Sequence, residues 1–126
     1  MARILVAEDE EALRGLIARA LAQDSHEVLS ARDGAEALDM LCGASEPFDL
    51  LLADIRMPVM DGIALALAAA RDDPGLGILL MTAYADQRER ACGLDRLIRD
   101  VISKPFALET LRAAVATALA VRPHGS

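Results

Sequence analysis

The segment FDLLLADIRMPVMDG, Phe48 to Gly62, constrains this chain more than any other. Its apolar run Leu50–Leu51–Leu52–Ala53 stops on a carboxylate, Asp54, and then turns through Met57–Pro58 to Asp61–Gly62. An apolar run of about 4–8 residues that ends in turn chemistry reads as a strand buried on both faces. Such strands belong to parallel sheets covered by helices. In open parallel sheets ligands gather beyond the carboxyl ends of the strands, and Asp54 would sit there. An Asp at a strand end is more often a turn or capping residue, so the other strand ends must decide between the two.

Four more apolar runs share the pattern. Arg3–Ala7 leads into four consecutive acids, Glu8–Glu11. His26–Ser30 precedes Asp33–Gly34, Ile78–Met81 runs into Thr82–Ala83, and Leu97–Ser103, centred on Val101–Ile102, runs into Lys104–Pro105–Phe106. Helical spacing fills the gaps. Leu13, Leu16, Ile17, Ala20 and Leu21 make a first helix, and Ala35–Leu41 a second. Gly62–Arg71 makes an Ala-rich third and Leu108–Val121 a closing one. Asp86–Leu94 is a weaker fourth helix in chain order, with a thin apolar face. Five alternations of strand and helix predict an α/β fold, a doubly wound parallel sheet with right-handed crossovers between two helix layers. That makes three layers, five strands and five helices.

At 126 residues the chain suits one domain. It is read as a single unit over 1–121 with a flexible tail at 122–126. Aromatics are 2% of the sequence, so the core must be aliphatic. No run approaches a membrane span of about 20 apolar residues, and no signal peptide opens the chain, which predicts a cytoplasmic protein. A net charge of −7 argues against direct nucleic-acid binding. Cys42 and Cys92 lack metal-ligand spacing and read as small buried hydrophobes. His26 reads as a surface histidine.

The chemistry-bearing residues all follow strands: Glu8 and Asp9, Asp54, Thr82 and Lys104. Of 13 basic residues, Lys104 is the only lysine. Clustered carboxylates at neutral pH hold a proton or a cation, and Mg²⁺ is content with one or two carboxylates and several waters. An ammonium opposite them is a point charge suited to a phosphoryl group, and Thr82 adds a hydroxyl. Acids, a lysine and a hydroxyl around one crevice suit phosphoryl transfer to an Asp.

In these residues the chain resembles the receiver domain of two-component response regulators, the CheY-like family, over nearly its whole length. The matching pieces are Glu8–Asp9, Asp54 with Met57–Pro58–Val59–Met60–Asp61–Gly62, Thr82–Ala83, and Lys104–Pro105–Phe106. The resemblance implies the flavodoxin-like strand order 2-1-3-4-5 and Asp54 as phosphoacceptor. It implies Mg²⁺ held by Asp9, Asp54 and the backbone carbonyl of Arg56, with Glu8 acting through a water. Thr82 and Lys104 would sense the phosphoryl group, and the peptide before Pro105 would be cis. The partners implied are a sensor histidine kinase or histidine phosphotransfer protein and an unknown output protein. The resemblance also allows a homodimer through helix 4, strand 5 and helix 5. It implies no enzyme beyond Mg²⁺-dependent self-phosphorylation and slow autodephosphorylation.

Many receivers carry Tyr or Phe three residues before the lysine, where this chain has Val101. Tyr84 is the candidate to share that switching task, against the plainer reading of a loop aromatic. The switch and partner face is accordingly assigned to Tyr84, Val101, Pro105 and Phe106, within helix 4, strand 5 and the closing helix. Two alternatives are weaker. A phosphatase of the aspartyl-phosphate type wants a second acid two residues after the nucleophile, where Arg56 stands. A flavodoxin-like cofactor binder wants a phosphate-cradling loop after the first strand, where four acids would repel a phosphate. The end of the chain soon after the last helix predicts a stand-alone receiver or a fragment of a longer regulator. Among stand-alone types, DIRMPVMDG, Val101 and SKPF are most similar to CpdR, which adjusts substrate delivery to a AAA+ protease.

Overall fold

The computed structural model describes residues 2–83, 91–94 and 96–120. Its elements are β1 (Arg3–Ala7), α1 (Glu11–Gln23), β2 (Glu27–Ala31), α2 (Gly34–Gly43), β3 (Leu50–Asp54), α3 (Gly62–Asp72), β4 (Gly77–Thr82), β5 (Asp100–Ser103) and α4 (Leu108–Ala120), with a 3-10 turn at Cys92–Leu94. All pairings are parallel, in the order β2-β1-β3-β4-β5. The three-layer arrangement and strand order agree with expectation. The helix count does not: the described residues hold four α-helices, not five. Of the expected Asp86–Leu94 helix, residues 86–90 lie outside the described residues, and its end is the 3-10 turn.

Side-chain alternation along the strands builds two cores. Leu5, Ala7, Leu51, Ala53, Ile78 and Leu80 face α2 and α3, meeting Ala37, Leu65, Ala66 and Ala69. Ile4, Val6, Leu50, Leu52, Leu79, Met81 and Ile102 face α1 and α4, meeting Ile17, Leu21, Leu111 and Val115. The largest fully buried side chains are all Leu or Ile. Each such side chain contributes about 1.5–3 kcal/mol, so aliphatics replace the missing aromatics. Small residues on α3 let the helix approach the sheet closely.

Boundaries moved by a residue or two. β2 begins at Glu27, and His26 is half-buried, its Nδ1 accepting from the Ala2 amide at 3.1 Å. Leu16 is exposed on α1 despite its helical spacing, and Cys42 is exposed, which corrects the expectation of a buried cysteine. Cys42 stands in the last turn of α2, beyond the stripe that faces the sheet. The side chain of Cys92 lies outside the description. Among the described residues no helix is long and apolar enough to cross a membrane.

Two caps and one ion pair fix the helices. Asp33 accepts from the Glu36 amide at 2.8 Å and Asp61 from the Ala64 amide at 2.8 Å, satisfying donors that helix N-termini leave open. Asp24, just after α1, is gripped by the Arg112 guanidinium of α4 through both carboxylate oxygens. The Arg112 hydrogen bonds hold the Asp24 carboxyl below its ordinary value of 3.8. A carboxylate with a lowered folded pKa stabilises above its unfolded pKa and loses that contribution as pH falls through the folded value. Asp24→Asn is therefore expected to be less stable than the parent at neutral pH, with the gap closing in acid. Urea unfolding across the acid range checks this, and a gap constant with pH would refute the linkage.

A second outcome follows from close backbone approach. A Cβ on Gly62 would lie 2.3 Å from the Asp54 carbonyl oxygen, whereas one on Gly43 meets nothing within 4 Å. Gly62→Ala is expected to cost about 1–3 kcal/mol by overpacking, and Gly43→Ala almost nothing. Urea midpoints of the two variants provide the comparison.

Candidate functional site

The carboxyl ends of β1, β3, β4 and β5 meet at one edge of the sheet, and each delivers a polar group there. Ala7 pairs with Ala53, Asp54 with Met81, and Thr82 with Ser103, so Glu8, Asp54, Thr82 and Lys104 arrive at neighbouring heights. The Lys104 amide donates to the Thr82 carbonyl at 2.7 Å, which extends the β4–β5 ladder to the lysine itself. The Lys104–Pro105 peptide is cis.

Lys104 Nζ donates to Glu8 Oε1 at 2.7 Å and to Asp54 Oδ2 at 2.9 Å. Glu8 is 1% exposed and Asp54 6%. The other Glu8 oxygen, Oε2, accepts from the Glu10 amide at 3.0 Å. Burial pushes the Glu8 carboxyl above its ordinary value, and the Asp54 charge adds to that push. The hydrogen bonds from Lys104 and Glu10 counter it only in part. Burial alone would pull the Lys104 ammonium down, but its bonds to Glu8 and Asp54 outweigh burial and raise it. The lysine thus stays charged and offsets two buried carboxylates at once.

Asp9 is exposed, yet one carboxylate oxygen from each of Glu8, Asp9 and Asp54 lies within 4.8 Å of the others. Three hard oxygen donors beside water match a divalent cation that keeps part of its hydration shell. Thr82 is 3% exposed at the end of β4. Arg56 has an exposed side chain, while Ile55 and Met57 on either side are buried and pin the backbone. The Ile55 amide donates to the Met81 carbonyl at 2.9 Å and the Gly62 amide to the Ile55 carbonyl at 2.8 Å, closing the loop above Asp54. Within it the Met60 amide donates to the Pro58 carbonyl at 2.7 Å around Val59, whose φ is 70°. A β-branched residue seldom enters that region, at a cost of about 1–3 kcal/mol.

Glu8, Asp54 and Lys104 come together in direct contact, Asp9 and Thr82 stand beside them, and Arg56 borders the loop. Pro105 is exposed and Phe106 packs partly against the α1/α4 core, while Val101 is half-buried against the other. Tyr84 lies outside the described residues. Two supports were not legible in sequence. Arg14 Nη1 donates to the Glu8 carbonyl at 2.9 Å, and Gly34 meets Met60 so closely that a Cβ would lie 2.2 Å from the Met60 oxygen. Arg14 looked like any polar helix residue, and the Gly34 contact joins distant segments.

The family profile of the response regulator receiver domain matches residues 4–116. The response regulator MprA of Mycobacterium avium is 41% identical over 111 residues, covering 88% of this chain and 48% of that protein. The chain therefore spans about half the length of the curated relatives it matches. Two solved structures superpose over almost the whole chain. The non-phosphorylated HemR receiver domain from Leptospira biflexa is 31% identical with a TM-score of 0.86, covering 98% of this chain and 99% of its own. TrrA from Thermotoga maritima, in complex with Mg²⁺ and BeF, is 30% identical with a TM-score of 0.83, covering 94% of this chain and 99% of its own. A parallel sheet of this order, with acids and one lysine converging at its carboxyl edge, is a phosphoryl-accepting signalling module rather than a free-standing enzyme. The chain belongs to the response regulator receiver family, with a CheY-like fold.

The double hydrogen bond of Lys104 generates a measurable coupling. Lys104→Met leaves buried Glu8 without its partner and is expected to cost about 1–3 kcal/mol. Adding Glu8→Gln should recover part of that loss, so the two changes together cost less than their sum. Urea unfolding of both single variants and the double variant, in chelator, measures it. Simple additivity would mean that the pair is not energetically coupled.

Proposed function

We propose that Asp54 is the phosphoacceptor of this receiver. The observation that carries the reading is the buried Asp54 carboxylate bridged by the chain's only lysine and flanked by Glu8 and Asp9. An Asp54 oxygen attacks the donor phosphorus. The donor's bond to phosphorus breaks, the electron pair leaves with the donor group, and an acyl phosphate forms. The donor is the phosphohistidine of a sensor kinase or phosphotransfer protein, or a small acyl phosphate. As Asp54 is phosphorylated, Lys104 exchanges its bond to Asp54 for one to a phosphoryl oxygen, and the Thr82 hydroxyl donates to another.

Asp9, Asp54 and the Arg56 carbonyl would hold Mg²⁺, with Glu8 acting through a water. The three carboxylates within 4.8 Å support that donor set. When bound, the ion offsets charge on the phosphoryl oxygens. With acetyl phosphate and Mg²⁺, intact-mass spectrometry is expected to record a single phosphoryl addition that Asp54→Ala abolishes. Millimolar Mg²⁺ alone should stabilise the fold by about 1–3 kcal/mol at saturation, read as a raised thermal midpoint. A mass gain that survives in Asp54→Ala overturns the assignment, and an unmoved midpoint overturns the metal set.

The output is a change in partner binding. The receiver unit runs over 1–121 with 122–126 as a tail, in a cytoplasmic protein. Phosphorylation adds about −1.5 to −2 charge to the crevice. Thr82 and Lys104 answer it from strands that flank residues 84–99, so the face around β5, α4 and the segment before β5 is the switch surface. Val101, Pro105, Phe106 and Tyr84 belong to it, and a homodimer would form through the same face. The likeness of DIRMPVMDG, Val101 and SKPF to CpdR supports a protease-adaptor type of output. With beryllofluoride, hydrogen exchange is expected to change across residues 82–106. Changes confined to the neighbourhood of Asp54 would place the switch elsewhere.

A further inference from the structure

We propose that the groove between the carboxyl ends of α2 and α3 binds a small organic cation with an apolar body, of the arylalkylamine type. The groove opens at the amino edge of the sheet, where Phe48 leads into β3 and Leu76 into β4, so it lies at the opposite end from Asp54. Its volume is about 530 Å³, within the range of about 300–1,000 Å³ usual for small-molecule sites. Buried Phe48 and Leu76 form the floor, and half-buried Leu38 and Leu41 form a wall. These side chains offer an apolar body a surface already partly removed from water.

The rim sets the sign of the charge. Asp72 and Asp73 border the groove and are exposed, and among the described residues no Lys, Arg or His lines it, the Arg3 guanidinium lying 4.6 Å over the Phe48 ring. α2 ends at Gly43 and α3 at Asp72, so the last carbonyls of both helices bring partial negative charge to the same end. α2 has no base in its last turn to offset this, and Arg71 of α3 is held by Asp72 at 3.4 Å. The Asp73 carboxylate is oriented by the Gly75 amide, which donates to Oδ1 at 3.1 Å. An anion would meet the Asp73 carboxylate, Asp72 with its Arg71 partner and two helix carboxyl ends, and a neutral ligand would leave Asp73 without a cation. An ammonium on an apolar stem answers both the wall and the rim. A protein partner is the poorer fit. A stable interface takes about 800 Å² from each side, and this groove spans only the last turns of two helices and the two loops that follow them.

Phenylbutylamine, phenylbutanol and phenylbutyrate share one hydrophobe and differ in charge, so they separate the contributions. Amide NMR titration is expected to show saturable shifts by the amine at Leu38, Leu41 and Leu76. Binding should be about tenfold weaker for the carboxylate, with the alcohol between. The amine should also slow alkylation of exposed Cys42 by iodoacetamide, read by peptide mass. Asp72→Asn with Asp73→Asn keeps the hydrogen-bond acceptor for Gly75, and should bring the amine down to the affinity of the alcohol. Equal affinities for the three probes, shifts centred elsewhere, or no saturation in the millimolar range would each overturn the proposal.

Discussion

The ammonium of Lys104 is the charge on which this end of the molecule depends. It joins Glu8, 96 residues away in sequence, to Asp54, 50 residues away, and both carboxylates are nearly out of water. Two buried carboxylates without a cation would repel and take up protons. With the lysine between them they remain an acceptor pair, ready to exchange one cation for another. The lysine thus keeps two buried carboxylates compatible with folding.

The geometry that permits this is set by the sheet. Parallel strands in register deliver their last residues to one edge, so the polar groups need no loop of their own to find one another. The Lys104 amide continues the ladder onto Thr82, and the Asp54 loop is closed by Ile55, Gly62 and the turn at Val59. Both cores stop just beneath this edge. Rigid aliphatic packing below and short closed loops above are what hold the carboxylates and the ammonium within bonding distance.

The molecule separates its two ends electrically. At the carboxyl edge negative charge is dense, and among the described residues Lys104 bonds the Glu8 and Asp54 carboxylates while Arg14 holds the Glu8 carbonyl. At the amino edge the carboxyl ends of α2 and α3 gather beside Asp72 and Asp73, with Arg71 paired to Asp72 and Arg3 stacked over Phe48. The net charge of −7 is thus not spread evenly. Arg112 and Asp24 tie α4 to the end of α1 and keep the layer over the Ile4–Val6 face in place.

Sequence alone determined the strands. Runs such as Leu50–Ala53 are apolar at every position and bounded by turn chemistry, which suits a strand covered on both faces, and the polar residue ending each run marked the candidate site. Glu8, Asp54, Thr82 and Lys104 were legible for that reason. The paired contacts were not: that Lys104 divides itself between Glu8 and Asp54, that Arg14 secures the Glu8 carbonyl, or that Gly34 admits Met60. Those depend on segments brought together by packing, and no local pattern encodes them. The described residues hold four of the five expected helices, and most of the expected Asp86–Leu94 helix lies outside them. Helical periodicity also misjudged depth. Leu16 carries the right spacing and Cys42 the right chemistry for burial, yet both face solvent, because the tertiary arrangement decides how wide a stripe of each helix the sheet covers.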